Sequence, residues 1–149
     1  MFTCPKMQRL IDALAHQHQF ALHIGDGSSL ILENPPYEPL GVANLIPHLV
    51  AVYHWYNDVL GDRVYDPEVV FFTSYPAWVP YSIQQPTVAL FAGNRWLSGG
   101  GYKEVARLSE DYLHITHANL NGMRDVGIFA EQWATTLREQ GWLNAVRRH

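Results

Sequence analysis

Leu45 to Tyr56, LIPHLVAVYHWY, followed by Asn57 to Phe72, NDVLGDRVYDPEVVFF, is the stretch whose reading decides the fold. Val50, Val52, Tyr53, Trp55 and Tyr56 are strand formers, and apolar groups fall on both alternating faces of the run. A strand apolar on both faces belongs inside a sheet, so Leu45 to Tyr56 is predicted to lie centrally. Asn57-Asp58 and Gly61-Asp62 mark a turn, from which Val64-Tyr65 and Val69 to Phe72 return antiparallel. Pro67 has no N–H to offer a ladder and predicts a bulge or an edge position.

Working toward the N-terminus, Asn34-Pro35-Pro36 stops strand pairing, and the segment through Pro39 and Gly41 is predicted as an extended surface connection. Phe20, Leu22 and Ile24 alternate, Gly25-Asp26-Gly27 suits a tight turn, and Leu30-Ile31-Leu32 follows, which together predict a hairpin. Met7, Leu10, Ile11 and Leu14 recur at helical spacing, with Thr3 placed to cap and Pro5 in the first turn.

Toward the C-terminus, shorter strands are expected at Thr87 to Phe91, around Val105, and at Tyr112 to Thr116. Gly99-Gly100-Gly101 reads as a flexible hairpin loop, since no Gly-Lys-Ser/Thr follows to make a phosphate cradle. Val126, Phe129, Ala130, Trp133 and Leu137 form one helical stripe. Asn121 is placed to cap that helix, and Gly141 to end it in a left-handed turn with Trp142 folding back on Leu137. The fold class is therefore α+β: an antiparallel sheet of about five or six strands with N- and C-terminal helices packed on one face.

At 149 residues, the chain is expected to form one domain, 1–149. Apolar and aromatic content suffices for a core without crosslinks, and Cys4, the single cysteine, excludes an intrachain disulfide. That cysteine usage points to the cytoplasm. No apolar run approaches the ~20 residues that span a bilayer. The formal charge is −4, and the basic residues are scattered apart from Arg147, Arg148 and His149, which argues against nucleic acid as a partner.

Residues with chemical potential are dispersed. His48 and His54 would share a strand face about 20 Å apart at ~3.3 Å per residue, too far for one metal. His114 and His117 would point to opposite strand faces, as would His16 and His18 if the first helix continued, so no metal or other cofactor is expected. His54 could still meet His114, or an acid such as Asp66, across the folded chain. Asp66 and Glu68 could project together from one strand, but a charged turn that discourages edge pairing explains them as well. Cys4 lacks an obvious base, and Ser28, Ser29, Ser74 and Ser98 lack a nucleophile elbow.

Aromatics are more suggestive. Trp78 and Tyr81, flanked by Pro76 and Pro80, together with Trp96, read as loop anchors for a protein contact, against the plainer reading in which they cap the sheet. The expected function is a small accessory protein that binds another protein, with self-association through an exposed sheet edge as an added feature. The alternatives are a small hydrolase with a His54/Asp66 site and a nucleic-acid-binding protein.

Pro47 to Asp58, the return Val64-Tyr65-Asp66-Pro67-Glu68-Val69, and Phe129-Ala130-Glu131-Gln132-Trp133 leading to Gln140-Gly141-Trp142 carry a family resemblance. They resemble an uncharacterised group of small bacterial proteins of the YqiB-like kind, and related domains of unknown function borne by plasmids, phages and integrative elements. The insert from Thr73 to Gly101 departs from the shorter relatives. The resemblance implies a fold and a mobile-element origin, and transfers no catalytic residue.

Overall fold

β3 (Leu49–Asn57) is the fourth of seven strands in its sheet, the central place that its two apolar faces require. The computed structural model of the chain describes residues 1–92 and 95–149, with side chains described outside 87–100. Around β3 the chain forms β1 (Ser29–Glu33), β2 (Leu40–Ile46), β4 (Arg63–Phe72), β5 (Val79–Ala92), β6 (Arg95–Glu104) and β9 (Val146–Arg147). These pair antiparallel in the order β6-β5-β4-β3-β2-β1-β9. β7 (Ala106–Leu108) and β8 (Ile115–Ala118) make a separate two-stranded ribbon. The helices are α1 (Pro5–Gln17) and α2 (Leu120–Glu139), the latter followed by a single 3-10 turn, Trp142–Asn144.

Register separates the two faces of the sheet. Leu40 lies opposite His54, Val42 opposite Val52, and Val50 opposite Phe71, and this face looks toward the helices, where Trp133 of α2 sits 5.5 Å from His54. The outer face carries Gly41 opposite Tyr53, Ala51 opposite Val70, and Tyr53 opposite Glu68. A Cβ on Gly41 would stand 2.3 Å from Tyr53 Cζ, so only glycine lets that ring lie flat across β2. Between Tyr53/Trp55 and Glu68/Tyr65 the pairing shifts by one extra residue on β4, the bulge that Pro67 predicts inside a paired strand.

Several local expectations are corrected. Leu45 to Tyr56 is two strands, because Pro47 and His48 (φ 69°) form a tight turn between β2 and β3, so His48 shares no strand face with His54. Leu40 and Gly41 open β2 instead of belonging to a surface connection. Phe20 to Ile24 is irregular, and β1 pairs with β2 and β9, so the expected hairpin does not form. There, Asn44 outcompetes a ladder: its buried side chain accepts from the His23 N–H (2.9 Å) and donates to the Ala21 carbonyl (2.8 Å). Gly99-Gly100-Gly101 runs within β6, not in a hairpin loop.

Both helices begin differently from expectation. Asn119, not Asn121, caps α2, its side chain accepting from the Gly122 N–H at 2.9 Å. Thr3 does not cap α1, whose Ncap position is Cys4, without a side-chain bond. The carboxylate of Glu131 on α2 instead accepts the Lys6 N–H (2.9 Å) and the Met7 N–H (3.2 Å), satisfying two donors of that first turn. Gly141 takes the expected left-handed conformation (φ 84°), and Trp142 is fully buried.

Candidate functional site

β5 and β6 build the candidate site. Ser82 pairs with Glu104 and Gln84 with Tyr102, so Tyr102 and Glu104, two residues apart on one strand, share the outer face. Continuing the same register, Tyr102, Gln84, Glu68 and Tyr53 form one row across β6, β5, β4 and β3. Tyr81 is the extra residue where β5 slips against β4, between Pro80, which pairs with Phe71, and Ser82, which pairs with Val70. The slip re-aims its side chain. Its hydroxyl donates to Glu104 Oε1 at 3.2 Å, while the Tyr102 hydroxyl donates to Oε2 at the same 3.2 Å.

Two phenols thus clasp one carboxylate. Burial, then the Glu104 charge, pushes the Tyr81 hydroxyl up to about 12, with Tyr102 and Tyr112 among the smaller influences. Tyr112, in the turn of the β7–β8 ribbon, and its neighbour Leu113 are exposed, and Tyr102 is 60% exposed. Glu104 also borders a groove of about 590 Å³ whose walls include Val105, Arg107, Thr116, His117 and Asn119. Two strands inward along the Tyr102 row, burial alone raises the half-buried Glu68 carboxyl, with no charge or hydrogen bond offsetting it.

The other end of the outer face is closed. Tyr53 lies 5.6 Å from Trp55 and 5.4 Å from Tyr65, and the Arg63 guanidinium stacks 4.4 Å above the Trp55 ring. Arg148, bonded to Glu33, lies 5.8 Å from the same ring, leaving Trp55 only 7% exposed.

The residues singled out from sequence meet different fates. Trp78 is 2% exposed and belongs to the core, so it offers a partner nothing. α1 holds it there: the Cys4 N–H donates to the Trp78 carbonyl (2.8 Å), and the Trp78 N–H to Gln8 Oε1 (3.1 Å). Its ring packs 5.5 Å from Phe71, an apolar contact a loop tip would forfeit. Tyr81 is half-buried and, with Glu104, reaches the outer face. The side chain of Trp96 lies outside the described residues.

His54 and Asp66 form no hydrogen-bonded pair. His54 sits between Trp133 and Trp142, 5.5 Å from each, with Nδ1 2.9 Å from the Pro39 carbonyl. Burial lowers its pKa, and Asp66, exposed beside the bulge, opposes this less than the Pro39 and Glu38 backbone does. Cys4 is fully buried, and burial, then the Glu131 charge, pushes its thiol up to about 12, so the nucleophilic thiolate is suppressed. Among the described residues, no group of three or more His, Cys, Asp or Glu side chains is placed to hold a metal. No helix among them is long and apolar enough to cross a membrane.

No protein-family model matches the chain, and no curated protein or solved structure matches it. The likeness to YqiB-like proteins rests on the sequence segments alone. Sequence reasoning missed Tyr102 and Glu104 because the triple glycine before them looked like a loop. As strand residues at period two, they form a signal that was present in the chain.

Proposed function

We propose that the chain is a non-enzymatic protein-binding module that receives its partner on the outer sheet face around Tyr81, Tyr102 and Glu104. The observation that carries this reading is the pair of tyrosines sharing the Glu104 carboxylate at the edge of an open groove. Tyrosine supplies broad contact area at little rotamer cost, and an exposed carboxylate set between two tyrosines favours a lysine or arginine from the partner. The half-buried Glu68, in the Tyr102 row two strands inward, adds a second acid to the same face.

The test compares proteins captured by immobilised wild-type chain, by the Tyr102→Ala/Glu104→Gln double variant, and by Leu60→Ala in the distant β3–β4 turn. A partner held by wild type and Leu60→Ala, lost by the double variant and competed by a lysine-rich peptide supports docking at this face. An identical set from all three baits refutes it. β6 ends the sheet among the described strands, and self-association would use that edge, which sedimentation over a concentration series would reveal.

A further inference from the structure

Cations scattered along the chain are gathered by the helix layer. Lys6 and Arg9, three residues apart on α1, and Arg138, in the last turn of α2, line a groove of about 290 Å³ with Ala134, Thr135 and Glu139. Ala134 is fully buried, while the charged side chains are exposed. Three cations against two carboxylates, Glu139 on the groove wall and Glu131 beside Lys6, leave a local charge of +1 in a chain whose ten Lys and Arg against fourteen Asp and Glu total −4. Among the described residues, none of these cations lies within salt-bridge distance of an acid. Glu131, the nearby acid, is engaged with the α1 backbone, and the Thr135 hydroxyl donates to the Glu131 carbonyl at 3.3 Å.

We propose that this groove binds a phosphate group, either as inorganic phosphate or as a small phosphomonoester. Two guanidiniums can each fork onto two oxygens of one tetrahedral anion, and the Lys6 ammonium adds a point charge, a combination that fits a dianion better than a single carboxylate. The groove has about the volume of the smallest ligand sites. Exposed cations hold an anion weakly, so affinity is millimolar and falls as salt rises. The groove lies on the helix layer, so the inference stands or falls independently of docking at Glu104.

The test is calorimetric titration of the whole chain with inorganic phosphate and, separately, with N-acetyl-phosphoserine, against chloride of equal ionic strength. Arg9→Gln and Arg138→Gln each weaken binding roughly three- to fivefold, the loss expected when one exposed charge is removed. Glu139→Gln tightens it by a similar factor, and Arg124→Gln, about 20 Å away toward the start of α2, leaves it unchanged. Stronger binding of the ester identifies a phosphomonoester ligand, and stronger binding of phosphate identifies the free anion. No heat above the chloride control, or equal weakening by Arg124→Gln, overturns the inference. These residues are exposed, and unchanged circular dichroism of each variant shows that the fold persists.

Discussion

Removing the Glu131 carboxylate is expected to loosen the start of α1 before it affects the sheet. Glu131 accepts one exposed N–H, from Lys6, and one part-buried N–H, from Met7. Water can replace the first acceptor, so its loss costs only a few tenths of a kcal/mol. The second costs about 1 kcal/mol, and losing a negative charge at a helix N-terminus adds about 0.5 kcal/mol. Glu131→Ala should therefore cost about 2 kcal/mol, and Glu131→Gln, which keeps one oxygen acceptor, about half of that. Cys4 is the natural reporter, since its thiol is fully buried at the same helix start and can be labelled only when that start opens. Labelling with a thiol reagent should be roughly thirtyfold faster in Glu131→Ala than in wild type, the equivalent of 2 kcal/mol, with Glu131→Gln between them. Equal labelling rates in all three proteins, measured where opening is a pre-equilibrium, would refute the assignment of Glu131 as the cap.

Trp78→Ala should cost about 3 to 5 kcal/mol in urea unfolding, the price of emptying a core site, whereas a wild-type-like midpoint would return Trp78 to the surface. Gly41→Ala should destabilise by about 1 to 3 kcal/mol, because its Cβ would meet the Tyr53 ring, and Tyr53→Ala in the same chain should relieve part of that loss. Burial lowers the pKa of folded His54 below its ordinary 6.5, so its contribution to stability is full above pH 6.5 and is lost as pH falls toward the folded value. His54→Gln should flatten that part of the stability–pH curve, and an unchanged slope would count against the burial of the ring between the tryptophans.

Sequence periodicity located what depends on local pattern. The α2 stripe, the central aliphatic strand, the Asn57–Asp62 turn and the bulge at Pro67 all follow from side-chain spacing or a missing N–H. What escaped was decided by distant partners. Thr3 had the chemistry of a cap, but Glu131, more than a hundred residues away, took the position. Asn44 looked like an ordinary strand residue, yet its amide holds Ala21 and His23 and keeps that segment from pairing. Trp78 resembled a loop anchor because its flanking prolines were legible and the Gln8 side chain that pins it was not. The candidate site suffered similarly: Tyr81, Tyr102 and Glu104 meet only after a one-residue slip between β4 and β5, which no motif announces.

Holding α1 by Glu131 also has a temporal meaning. The ribosome releases the first helix well before it makes its clamp, so the first-turn N–H groups of Lys6 and Met7 must wait for most of synthesis to meet their carboxylate. Such long-range closure slows folding relative to a chain whose neighbours in space are neighbours in order. A nascent chain halted before Glu131 should accordingly leave the start of α1 frayed and Cys4 open to thiol labelling, and one extended through α2 should protect it.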